Sequence, residues 1–197
     1  QAGGELTDEI AITLDVWDTR MAEVGDQLGR ARAALVERCE PMVNEAYEEL
    51  SGQVSTIGLI YEPSWRRDGL ATALVNARRD DLRRGVSTIG PHRDEVEVVL
   101  DGLPTRTHAS QGEQRTLALA LRLAAHRLVA ERTGSTPVLI LDDVLSELDP
   151  DRAAALLGHL PAGQVIITTA SPLPPAAHPD RTLEIKAGRV VMAGDPQ

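Results

Sequence analysis

The sequence predicts an α/β fold with a long helical segment ahead of it. Two observations carry this. Two apolar runs, Val138–Leu141 and Val165–Thr168, stand on either side of one short helical stretch, and a 4-3 spacing of apolar residues marks the first fifty positions. An apolar run without alternation is typical of a strand buried on both faces of a parallel sheet. Strand–helix–strand order with short connections implies a right-handed parallel crossover. The 197 residues, 42% hydrophobic and 25% charged, are ordinary globular material with enough length for a sizeable core. Only 2% are aromatic and Phe is absent, so that core must be aliphatic.

In chain order, Leu14 to Leu50 reads as helix. Trp17, Met21, Val24, Leu28, Ala31 and Leu35 form an a/d-like stripe, which predicts a long helix packed along one partner helix. A plain amphipathic helix on a small core fits the same stripe. Pro41 should kink or divide it. Ser51 to Glu62 holds a short strand, and a helix follows Asp68-Gly69 from about Leu70 to Arg84, with Gly85 as its C-cap. Val86 to Ile89 reads as a short buried strand, and Val96, Val98 and Leu100 alternate as a half-buried one. A helix from Gly112 to about Arg132 leads into Val138–Leu141. Another near Arg152 to Leu160 precedes Val165–Thr168. Pro172 to Pro179 is a surface loop, and Thr182 to Met192 closes the chain as a hairpin around Ala187-Gly188.

Several function classes drop out. Trp17, Tyr47, Tyr61 and Trp65 are too few to build base-stacking platforms. The single Cys39 excludes an internal disulfide framework and a multi-cysteine zinc site. No apolar run approaches the ~20 residues of a membrane span, and no signal-peptide pattern opens the chain, so a cytoplasmic protein with no membrane partner is expected. A net charge of −10 argues against broad nonspecific phosphate binding. The only lysine, Lys186, lies in Glu-Ile-Lys-Ala-Gly, so the chain has no Walker A motif. It begins at Gln1 with no obvious domain start, and we expect part of a longer protein.

Two segments carry chemistry. Leu139-Ile-Leu-Asp142-Asp143 ends an apolar strand in two carboxylates, at the edge of the sheet where open α/β folds bind ligands. Adjacent negative charges call for a cation, and nucleotide-bound Mg²⁺ takes carboxylates, phosphate oxygens and waters. An Asp that merely caps the next helix is the alternative. Ser110-Gln111-Gly112-Glu113 precedes a strongly helical run as an S-x-x-E capping box. A helix N-terminus with a Ser hydroxyl and a Gly backbone can also receive an anion.

Taken in order, Gly90-Pro-His-Arg-Asp94, Ser110-Gln-Gly-Glu-Gln114, Leu139-Ile-Leu-Asp-Asp-Val144 and Ser146-Glu-Leu-Asp149 with Arg152 resemble the RecF family of recombination-mediator ATPases. That family lies within the ABC/SMC-like group. The resemblance implies part of an ABC-type ATPase head, a parallel-strand core with helices, over residues 86–197. Residues 1–85 would then be the end of a helical arm. It implies Asp142 as the Walker B carboxylate that helps hold Mg²⁺. Asp143 would polarise the attacking water, a position where ABC ATPases more often carry Glu. Ser110, Gln111, Gly112 and Glu113 would form the signature that meets the γ-phosphate of ATP in trans, and Asp149 the D-loop along the dimer interface. The usual switch His is absent from Thr168-Thr169-Ala170-Ser171, which leaves γ-phosphate sensing to Thr168, Thr169 or a residue elsewhere. His108, His126, His159 and His178 read as surface or packing residues.

The resemblance further implies an ATP-dependent homodimer that acts on DNA, single-stranded and gapped duplex. RecR- and RecO-like mediator proteins would be its partners in loading recombinase at gaps during repair and the SOS response. The basic residues Arg66, Arg67, Arg78, Arg79, Arg83 and Arg84 are interspersed with Asp68, Asp80 and Asp81, which predicts an ordinary salt-bridged helix face. For Gly90–Asp94 a tight turn fixed by an Asp and Arg pair is expected. A head fragment of another SMC-like ATPase and a non-catalytic interaction module are the rival readings.

Overall fold

One unbroken helix of 44 residues, α1 (Asp8–Ser51), contains Pro41 without being divided by it. The computed structural model describes residues 8–192. The expected stripe is not the packed face of α1: Trp17, Met21, Val24, Leu28 and Leu35 are 41–67% exposed. Ala22, Gly25 and Gly29 are buried instead. A second helix, α2 (Leu70–Arg84), and the loop before it lie close against this small-residue face. A Cβ on Gly29 would fall 2.6 Å from the Trp65 ring, and one on Gly25 only 2.3 Å from Leu70 Cδ2. Ala22, Trp65, Leu70 and Leu74 form a small core there. Arg78 ties α2 to Asp15 and Asp18 at 2.7 and 2.6 Å.

Gly85 ends α2 as expected, left-handed at φ 68, its N–H donating to Asp81 O. The strand expected at Val86–Ile89 does not form. The Asp81 carboxylate takes both the N–H and the hydroxyl of Thr88, so local turn bonds use the groups a ladder would need. The Gly90–Asp94 turn is also held differently from expectation. Asp94 pairs not with Arg93 but with Tyr61 Oη at 2.7 Å and Trp65 Nε1 at 2.9 Å, and its side chain is 2% exposed, 3.8 Å from Arg32. Arg93 turns away to donate twice to Ser87 O.

The first sheet is antiparallel, β1 (Ile57–Ile60), β2 (Glu97–Leu100) and β3 (Leu103–Pro104) in that order. The free edge of β1 is closed by side chains of α1. Asn44 exchanges two 2.7 Å bonds with the main chain of Ile57, and Glu40 accepts from Leu59 N at 2.8 Å, so both N–H groups and the Ile57 carbonyl on that edge are satisfied without another strand.

After a one-turn helix, α3 (Thr105–His108), the long α4 (Gln111–Thr133) lies on the second half of α1. Leu117, Ala120 and Leu123 of α4 meet Val43, Ala46 and Leu50 in the larger core, which therefore draws on both sides of residue 85. Strand β4 (Leu139–Asp142), a 3₁₀ turn at Val144–Glu147, α5 (Pro150–Gly158) and β5 (Val165–Thr168) complete this layer. β4 and β5 pair in parallel, Leu139 opposite Val165 and Asp142 opposite Thr168, as the crossover argument requires. Burial on both faces is not observed. Leu139 and Leu141 face the core, whereas Ile140 is 63% exposed, because among the described residues helices cover one face only. The hairpin β6 (Leu183–Lys186) and β7 (Arg189–Met192) turns at Ala187 and Gly188, both at positive φ, the geometry of a two-residue hairpin loop. No helix among the described residues is long and apolar enough to cross a membrane.

Candidate functional site

Asp142 and Asp143 stand where β4 ends, at the carboxyl edge of the parallel pair, and both are exposed. Thr168, across the ladder from Asp142, organises them. Its hydroxyl donates to Asp142 Oδ1 and accepts from the Asp143 N–H at 3.0 Å, while its carbonyl accepts from the same N–H at 3.0 Å. Asp143 sits in the left-handed region at φ 50 and opens the 3₁₀ turn. Ser146 Oγ donates to its carbonyl at 2.8 Å. Asp is several-fold enriched among the few non-glycine residues that adopt this conformation, which gives a backbone reason for an Asp at this position.

Ser110 and Glu113 form the predicted capping box. Ser110 Oγ accepts from Glu113 N at 3.3 Å, and Glu113 Oε2 accepts from Ser110 N at 2.7 Å. Gly112 lies beneath Arg152: a Cβ there would meet its guanidinium at 3.1 Å. Arg152 in turn binds Asp149, through its N–H at 3.0 Å and its guanidinium at 2.7 Å, and Arg115 donates to Glu147 O at 2.9 Å. The start of α4 is thus locked to the 147–152 segment. The Arg152 N–H above all holds the Asp149 carboxyl below its usual range. The bonds from Ser110, assisted by Arg152, do the same for Glu113.

Two clusters result: Asp142, Asp143 and Thr168, and Ser110, Gly112 and Glu113 with Asp149 and Arg152. Gln111 is exposed at the head of α4. Among the described residues no hydrogen bond joins one cluster to the other. No group of three or more His, Cys, Asp or Glu side chains there could cage a metal. One or two carboxylates beside a hydroxyl suit an ion that brings its own waters and phosphates, as Mg²⁺ does. The donor set therefore fits nucleotide-bound Mg²⁺. Of the basic residues expected to form a salt-bridged face, Arg83 pairs with Asp80 as read, whereas Arg78 reaches across to Asp15 and Asp18 of α1 and Asp81 is taken by Thr88. His126 and His159 bond to backbone carbonyls. Sequence reading missed the buried Asp94, Tyr61 and Trp65 group, since nothing local to Asp94 announces partners about thirty residues away.

Ser110→Ala should cost about 1 kcal/mol, the usual weight of an N-cap, in urea unfolding, with the fold retained. Because Glu113 is lowered from its ordinary 4.5, its share of this stability is present above that value. It disappears as the pH falls through the lowered one. An unchanged unfolding midpoint in Ser110→Ala would show that the cap contributes nothing.

No family model matches the chain. Individual proteins do. The DNA replication and repair protein RecF of Synechocystis sp. is 39% identical over 179 residues, covering 86% of this chain and 47% of the relative. That of Frankia alni is 41% identical over 174 residues, covering 80% of this chain and 46% of the relative. The chain belongs to the RecF family. It spans about half the length of the curated RecF relatives it matches. Two solved structures of the recombination mediator RecF in the RecFOR pathway share its architecture. The one described with ATP superimposes with a TM-score of 0.79 at 28% identity, over 97% of this chain and 52% of that one. The one described as RecF-ATPrS gives 0.78 at 29%, over 92% and 51%. The α/β head with its helical extension is therefore a RecF architecture.

Proposed function

We propose that this chain supplies the signature motif, Walker B strand and D-loop of a RecF-type ATPase that acts on DNA in replication and repair. The observation that carries the reading is the pair of ordered clusters: Asp142 and Asp143 at the carboxyl edge of a parallel strand, and the Ser110 helix start locked to Asp149. Their order in the chain and the likeness to RecF structures described with ATP support it. Residues 1–85 serve as arm and 86–197 as part of the head.

In this reading Asp142, steadied by Thr168, would help hold Mg²⁺, commonly through water. Bound there, the ion would supply charge neutralisation for the phosphates of ATP. Asp143 orients and polarises the attacking water as general base. Ser110 and Gly112 present a helix N-terminus to the γ-phosphate bound by a second protomer, and Asp149 lines that interface. The phosphate cradle and its lysine come from elsewhere in the complete protein, since Lys186 lies on the closing hairpin. DNA at single-strand gaps and RecO- and RecR-like mediators are the proposed partners.

The test uses the complete protein. Ser110→Arg places a bulky cation where the γ-phosphate would dock. ATP-dependent dimerisation, followed by light scattering, should disappear while nucleotide binding stays nearly intact. A folded Ser110→Arg protein that dimerises with ATP like the wild type would remove the signature assignment.

A further inference from the structure

We propose that Thr168 is the positioning residue of the divalent-cation site, its one hydroxyl fixing the Asp142 carboxylate and the Asp143 main chain together. The inference rests on the ATPase reading above and goes further, by assigning the place left without a switch histidine.

A threonine hydroxyl has one proton to give and two lone pairs to receive. Here the proton goes to Asp142 Oδ1 and one lone pair receives the Asp143 N–H. The ladder does not need either bond, because the Thr168 carbonyl already takes the Asp143 N–H and closes the β4–β5 pairing. The hydroxyl is therefore surplus to the sheet and committed to the carboxylate. Asp142 has no other side-chain hydrogen bond and no ion pair among the described residues. Without Thr168 this exposed carboxylate would be free to rotate.

Parallel register puts Thr168 and Asp142 side by side at the same level, over the exposed Ile140 and Ile166, with Oδ2 left open. Threonine suits the task because its branched Cβ restricts χ1, so the hydroxyl is aimed before any ligand arrives. The N–H it receives belongs to the residue held at φ 50. The same hydroxyl thereby steadies the backbone from which the Asp143 carboxylate projects. A histidine would bring a proton that titrates near neutral pH, whereas a hydroxyl adds no titrating group to the two carboxylates.

The experiment compares Thr168→Val, which keeps the shape and removes both bonds, with Thr168→Ser, which restores the hydroxyl, in the complete protein. Mn²⁺ is titrated into the protein–ATP complex and free Mn²⁺ read by electron paramagnetic resonance. ATP affinity is measured separately without metal. We expect half-saturating Mn²⁺ to rise about 10- to 100-fold in Thr168→Val, the usual effect of losing a partner that orients a metal ligand. Metal-free ATP affinity should be unchanged, and Thr168→Ser should recover most of the loss. Should valine prevent folding, Thr168→Ala carries the same expectation. Wild-type Mn²⁺ dependence in the folded valine or alanine variant overturns the assignment of Thr168 and leaves the ATPase reading standing. So does a serine variant as impaired as valine. Failure of the wild-type protein to bind ATP and Mn²⁺ at all overturns both.

Discussion

Asp94→Ala is expected to lower the unfolding free energy by about 3 kcal/mol, the largest loss from any single truncation of a polar side chain here. Two buried donors, Tyr61 Oη and Trp65 Nε1, share its carboxylate, and an unsatisfied buried donor costs roughly 1–3 kcal/mol. Burial and the Asp94 bond raise the pKa of the Tyr61 hydroxyl, which keeps it a donor across the neutral range. Arg32, which also donates to Pro91 O, is partly exposed and can turn to water, so its share of the loss is small. In a chain of this length the change corresponds to a fall of roughly 6–12 °C in Tm. Calorimetry or thermal circular dichroism reads it directly, and a shift under about 2 °C would show that the group is not holding α1 and the loops beside it together.

Asp143→Asn should cut ATP turnover by the complete protein roughly 10²–10⁴-fold, the usual contribution of a general base. The amide keeps the shape of the carboxylate, and Asn tolerates the left-handed backbone as Asp does. The turn at Val144–Glu147 and the bond from Ser146 should survive. Under the proposed role the substitution removes the charge that orients water, so ATP binding and ATP-dependent dimerisation should both persist. Phosphate release under saturating ATP and Mg²⁺ gives the rate. A variant within about threefold of the wild type, a tenth or less of the loss expected for a general base, would show that another group activates water.

What the chain reveals by itself follows the range of the forces involved. Gly85 as a C-cap and Ser110 with Glu113 as a capping box are settled within four residues, and both are where the local pattern puts them. The parallel pairing of the two apolar runs, Leu139–Asp142 with Val165–Thr168, follows from their composition and a short crossover. The face of α1 was misread because hydrophobicity patterns weigh large side chains. Close helix contact here selects Ala22, Gly25 and Gly29 for what they lack. Val86–Ile89 has a strand's composition, but Asp81 outcompetes the ladder for Thr88. Within the candidate site, the capping box at Ser110 and the carboxylate pair at the end of an apolar strand were legible as local patterns. The bond between Thr168 and Asp142, 26 positions apart, depends on strand register, and Arg152 over Gly112 depends on how α5 docks against α4.

The close packing of Trp65 on Gly29 also gives the protein an optical signal of its own. The chain has two tryptophans. Trp65 is 6% exposed in the small core, whereas Trp17 is 67% exposed on the outer face of α1. The larger core has none. Tryptophan emission therefore reports the α1–α2 region alone: a short-wavelength component shielded from iodide quenching comes from Trp65, and a long-wavelength, quenchable one from Trp17. Conversion of the first into the second marks the moment α2 leaves α1, while helical ellipticity, dominated by α1 and α4, follows the rest. Separation of α2 from α1 can thus be followed apart from events in the larger core, in unlabelled protein, by tryptophan emission.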